Sequence, residues 1–200
     1  MKRILVAITL VMVLAAHAAL AAPAQCVIHG KTVKMPILPG YMNSYGLDEG
    51  VDAHWDSMTS ESNQMLAVMV RAFEMKAILD KKQKAFTRYY SFQSPMMRED
   101  VAISGEHYAV LKKALREKYD PEALRIVRDT PREYAFIVQT STDGSDIGKG
   151  RIPLITGMNV MHVREMVVNL LVYAVGGEEM IGPVVKDIKE ISEEFFRMNQ

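Results

Sequence analysis

With 24 Lys and Arg against 24 Asp and Glu, the chain of 200 residues carries no formal net charge, which leaves no field for gathering nucleic acid. Hydrophobic residues make up 49% of it, and its length suits one domain rather than two. Cys26 is the only cysteine, so no intrachain disulfide can form and the fold must rest on an apolar core.

The amino terminus has the layout of a secretory signal: basic Lys2 and Arg3, the apolar run Ile4 to Ala16, then a stretch of small residues. That run is shorter than the roughly 20 apolar residues a bilayer span needs. Ala19-Leu20-Ala21 offers the small-x-small pattern of a cleavage site, with cutting before Ala22, and Ala22-Pro23-Ala24 is a second choice. The expected division is a signal peptide over 1–21 and a single domain over 22–200, periplasmic or secreted, with no stable membrane span after cleavage. Loss of Lys2 and Arg3 leaves 22 basic against 24 acidic side chains, a formal charge of −2. Either cut leaves Cys26 near the new terminus. Gln25 stands where a lipidated cysteine would need a small residue, which disfavours a lipoprotein, while an intermolecular disulfide through Cys26 stays open.

Along the domain, Cys26 to Ile37 reads as a hairpin or bent strand turning at His29-Gly30, and Pro39-Gly40 ends it. Tyr41 to Asn63 is rich in turn-forming residues, and the helical spacing of Val51, Trp55 and Met58 predicts a loop carrying one short helix. Gln64 to Phe73 is a nearly continuous apolar run, expected as a central strand, followed by a charged connection. Lys84 to Gln93 alternates as a strand does. Ser104 is a natural helix N-cap, and Tyr108, Leu111, Leu115 and Tyr119 then form one apolar stripe. Asp120-Pro121 predicts a second, short helix through Val127, with Pro131 closing the connection.

Glu133 to Thr140 reads as a strand with a turn at Asp143-Gly144. Arg151 to Val163 and Met166 to Val175 are two more, joined by Arg164-Glu165 as a two-residue hairpin turn. In that register Met161, Val163, Met166, Val168 and Leu170 share one face, and His162, Asn169, Leu171 and Tyr173 the other. The chain closes on an amphipathic helix with the stripe Ile181, Val184, Val185, Ile188, Ile191, Phe195 and Met198, expected to begin at Pro183.

The segment Val33-Lys34-Met35-Pro36-Ile37-Leu38-Pro39-Gly40-Tyr41, the hairpin Val160 to Tyr173 and the terminal helix together resemble the PsbP-like group of small exported α/β proteins. The resemblance covers most of the domain by element order. It implies an accessory or interaction protein without a shared catalytic site, and it carries no functional residue over to this chain.

Several groups of residues invite chemistry. Asp48, Glu49, Asp52, His54 and Asp56 have the ligand types of a divalent-cation site, although a solvated acidic loop explains the same letters. Met158, Met161, His162 and Met166 have the ligand types for Cu(I), but strand alternation sends Met161 and Met166 away from His162. Cys26 and His29 could pair only through the turn at Gly30, and Ser145 reads as a turn residue rather than a nucleophile. The aromatic run Arg88-Tyr89-Tyr90-Ser91-Phe92 reads as core, and the basic face of the helix over 105–118 as a solvated surface.

These readings converge on an α+β domain: an antiparallel sheet of about five to seven strands packed against a middle helix and a long carboxy-terminal helix. The expected function is that of an exported, non-catalytic accessory or binding protein of the bacterial periplasm, with a protein partner or small ligand and no nucleic acid. No catalytic, cofactor or metal residue is assigned. The alternative is a small periplasmic enzyme with acid/base residues around His54 and Asp56.

Overall fold

A computed structural model describes residues 23–96, 101–119, 124–143 and 150–200. The segment 1–21 expected as a signal peptide, the dipeptide Asp120-Pro121 and the residues Gly144 and Ser145 expected in a turn lie outside the described residues.

The fold is α+β. A hairpin of β1 (Ala24–Ile28) and β2 (Lys31–Met35) leads into β3 (Tyr41–Asn43), α1 (Glu49–Ser57), β4 (Asn63–Arg71), α2 (Ala72–Leu79) and β5 (Arg88–Pro95). Then come α3 (Gly105–Lys118), β6 (Leu124–Thr130), β7 (Glu133–Asp143), β8 (Arg151–Val163) and β9 (Met166–Val175), and a 3-10 turn (Glu178–Met180) opens into α4 (Ile181–Met198). The main sheet has seven strands in the order β3-β4-β5-β9-β8-β7-β6, with every neighbouring pair antiparallel.

The β8–β9 hairpin has the expected register, Val163 opposite Met166, and it sorts the sheet's two faces. Met161, Val163, Met166, Val168 and Leu170 face α4 and the β1–β2 hairpin, whose Ile28, Val33 and Met35 join the same core. Phe195 of α4 stacks on Phe92 of β5 at 5.8 Å. Because adjacent strand residues point to opposite faces, Val160 and Val167 lie on the far side, under Tyr108 of α3. Tyr108 donates its hydroxyl to the Val160 carbonyl at 2.6 Å, and Ser104 caps the helix by accepting from the His107 amide. Farther along that side, Trp55 of α1 covers Val68 and Val70.

The turn joining β8 and β9 has both central residues in the left-handed region, Arg164 at φ 50° and Glu165 at φ 63°, where Asn or Gly is preferred. Three tethers hold it there. Lys31 Nζ donates to the Arg164 carbonyl at 2.8 Å, Arg164 donates to the Thr32 and Gln200 carbonyls, and the Ile103 amide donates to the Glu165 carbonyl.

Four expectations need correction. Leu124 to Val127 is not helical but belongs to edge strand β6, which pairs with β7 across a turn at Pro131-Arg132. The ladder offered by β7, and the grip of Arg128 on Glu133 and Glu193, outweigh a local helix start. The end of the apolar run and the charged connection after it form helix α2, hidden in the sequence because its buried residue is Glu74 while Phe73 and Leu79 face outward. The apolar strand β4 is second from the edge, and β9 is the central strand. Finally, α4 begins at Ile181, two residues before Pro183, because the first amides of a helix have no intrahelical acceptor for a proline to forfeit.

Candidate functional site

A cleft of about 580 Å³ opens where the loop after β2 meets the start of α4, lined by Leu38, Tyr41, Arg71, Arg88, Asp187 and Glu190 among others. Its floor is fixed by Tyr90, which donates its hydroxyl to the Pro36 carbonyl and accepts from the Leu38 amide at 2.8 Å. Tyr41 packs its ring on Tyr90 at 5.0 Å and faces the cleft.

Two arginines form its polar wall, each held by a buried carboxylate. Arg71, at the end of β4, donates through Nε and Nη2 to Glu74 at 3.2 and 2.9 Å. Glu74 is 2% exposed and also accepts from the Thr87 amide and hydroxyl and from Gln83. Burial pushes its carboxyl up, but the hydrogen bonds from Thr87, Arg71 and Gln83 outweigh burial and hold it below the ordinary range. Arg88, at the start of β5, donates through Nε to Asp187 at 2.8 Å and through Nη2 to the Pro183 carbonyl at 3.0 Å. For Asp187, burial is the larger effect, so its carboxyl is raised despite Arg88. Among the described residues, Nη1 of neither guanidinium has a protein partner, while Glu190 lies 3.6 Å from Lys186.

The acidic letters around α1 do not converge. Asp48 caps the helix, accepting from the Gly50 and Val51 amides; Asp52 accepts from the Gly46 amide; Asp56 accepts from the Tyr45 hydroxyl at 3.0 Å, and burial, then this bond, push that phenol up to about 12. His54 is exposed, and at about 100° per residue it projects roughly 200° away from Asp56 on the helix. The two are not brought together as an acid/base pair. Among the described residues, no group of three or more His, Cys, Asp or Glu is placed to hold a metal ion.

On β8, His162 stacks on Tyr108 at 5.1 Å with Nε2 2.6 Å from the Ile103 carbonyl, on the face opposite Met161 and Met166, as alternation requires. Cys26 Sγ lies 3.9 Å from Met35 Sδ rather than against His29, and burial pushes the thiol up to about 11. The aromatic run of β5 divides: Tyr90 and Phe92 join the core under α4, and Tyr89 stacks on Tyr173 at 4.8 Å on the other face. A recess of about 20 Å³ beside Trp55 and Tyr89 has room for a single water. On the basic face of α3, Lys113, Arg116 and Lys118 are exposed, and Lys112 and Arg116 both pair with Asp129 of β6.

Sequence reading assigned none of Tyr41, Arg71, Glu74 and Asp187 to a site. One signal was present: Asp187 falls inside the apolar stripe of α4, between Val184 and Ile188, where a solvated charge does not belong. Comparison with protein-family models, with curated proteins and with solved structures finds no match to this chain.

Proposed function

We propose that the protein is exported after loss of residues 1–21 and acts in the bacterial periplasm as a non-catalytic accessory or binding protein, with the cleft between Arg71 and Arg88 receiving the anionic group of a small ligand. The export half rests on the signal layout of Lys2 to Ala21, and the resemblance to the PsbP-like group points to an accessory role.

The cleft half rests on one observation: two buried carboxylates, Glu74 and Asp187, are committed to holding two guanidinium groups along one wall. Desolvating a carboxylate costs several kcal/mol, and apolar residues of similar volume often stabilise a fold as well or better. What such pairs supply is orientation. A guanidinium held at Nε and Nη2 is fixed in orientation and leaves the two N–H groups of Nη1 to donate to carboxylate or phosphate oxygens. Tyr41 offers an apolar ring beside them.

The test uses the chain from Ala22 to Gln200, which contains every described element, in thermal-shift and calorimetric titrations with inorganic phosphate, citrate and succinate. At least one anion should raise the melting temperature saturably. Arg71→Lys and Arg88→Lys should weaken it about tenfold by losing the oriented Nη1 donors while keeping the charge. Absence of a shift with all three, or equal affinity in both lysine variants, would defeat the cleft assignment. Intact mass of the native protein beginning at Met1 would defeat export.

A further inference from the structure

Helix α2 packs inward through Met75 but turns two large apolar residues outward. Its buried residue is Glu74, held by Arg71, whereas Phe73 is 63% exposed and Leu79 is 73% exposed. At about 100° per residue, Phe73 and Leu79 stand at the two margins of the outward arc with Lys76 between them. Only the guanidinium of Arg71, 4.9 Å from the ring centroid, is stacked on Phe73 among the described residues. Burial in this protein's core explains neither side chain, and local rules are broken in this way mainly where function requires it.

The rim of this patch is basic. Lys76, Lys81, Lys82 and Lys84 are all exposed, and the acidic residue among them is Asp80, shared by Lys76 at 3.0 Å and Lys82 at 3.5 Å. Lys81 follows the end of the helix. It leaves the helix at φ 57°, with its amide bonded to the Ile78 carbonyl, in the left-handed position that helix ends ordinarily give to glycine. A lysine there accepts backbone strain that glycine would avoid.

We infer that α2 and the lysines after it form a docking surface for an anionic lipid bilayer, with Phe73 and Leu79 entering the headgroup boundary and the lysines contacting lipid phosphates. Charge complementarity decides the occupant. Lysine is depleted from protein–protein interfaces, whose anchors are Trp, Tyr and Arg, whereas Phe and Leu on one face with flanking lysines are the pattern of interfacial helices. Each lysine near an anionic surface adds to the attraction, and long lysine stems can keep their charge at the headgroups while the apolar pair inserts.

The experiment is vesicle flotation of the chain from Ala22 to Gln200, with vesicles of phosphatidylglycerol mixed equally with phosphatidylcholine and with phosphatidylcholine alone. Binding to the anionic vesicles alone is expected. Phe73→Ser/Leu79→Ser and Lys81→Glu/Lys82→Glu should each weaken it about tenfold or more, with melting temperature unchanged because all four side chains are exposed. Lys113→Glu, on the exposed face of α3, should leave binding intact. Failure to float with anionic vesicles, equal binding to both vesicle types, or binding that neither double variant weakens would overturn the assignment. So would soluble polyglutamate binding in the vesicles' place, which would point to an acidic protein.

Discussion

Gly157 of β8 lies directly beneath Ile188 of α4: a Cβ at Gly157 would stand 2.5 Å from Ile188 Cδ1 and 2.7 Å from Val184 Cγ1. The terminal helix therefore sits closer to the sheet than any side chain at this position would permit. Both neighbours are fully buried and cannot swing into solvent. Gly157→Ala should cost about 1–3 kcal/mol through overpacking, read as a lower urea midpoint. Adding Ile188→Val, which removes the clashing methyl, should recover part of the loss. A midpoint unchanged by Gly157→Ala would mean that α4 is not seated here.

The β8–β9 turn makes a prediction of opposite sign. Glu165 is held at φ 63°, and its side chain makes only an exposed pair with Lys31 at 3.3 Å. Such a pair contributes little, whereas relief of a left-handed non-glycine residue is larger. Glu165→Gly should stabilise the protein by about 1 kcal/mol, seen as a raised melting temperature. A fall would show that the Lys31 tether outweighs the backbone strain.

The two buried carboxylates of the cleft pull the acid stability of the protein in opposite directions. Glu74 is held below its ordinary value of 4.5, so its contribution is present at neutral pH and is lost as pH falls through its folded value. Asp187 is raised above 3.8, so its contribution is present below that value and is lost as pH rises through its folded value. Glu74→Gln should flatten the loss of stability on acidification, and Asp187→Asn should steepen it. Urea midpoints followed from neutrality to about pH 3 check both slopes. Parallel curves for the two variants would contradict the assignment.

Much of the fold was legible because periodicity and turn chemistry are local. Ser104 as a cap, the stripe from Tyr108 to Leu115, the Val163–Met166 register and the terminal stripe all follow from spacings within one or two elements. The failures share a cause as well. Leu124 to Val127 became a strand because β7 stood ready to pair with it, and α2 escaped notice because its inward side mixes the ion pair of Glu74 with Met75 rather than showing a clean apolar stripe.

The candidate site was illegible for a stronger version of the same reason. Arg71 and Glu74 are three residues apart and could have been suspected as a helical pair, but Arg88 and Asp187 are separated by 99 positions, and nothing near either names the other. By itself, the sequence determined the apolar faces, the turns and the strand register, since these depend on which side of a helix or strand each residue occupies. The order of the strands, the burial of Glu74 and Asp187, and the meeting of two arginines with Tyr41 in one cleft were decided only by tertiary structure. Those features depend on which elements pack together, and the low-dielectric surroundings that force buried charges to pair exist only once they have packed.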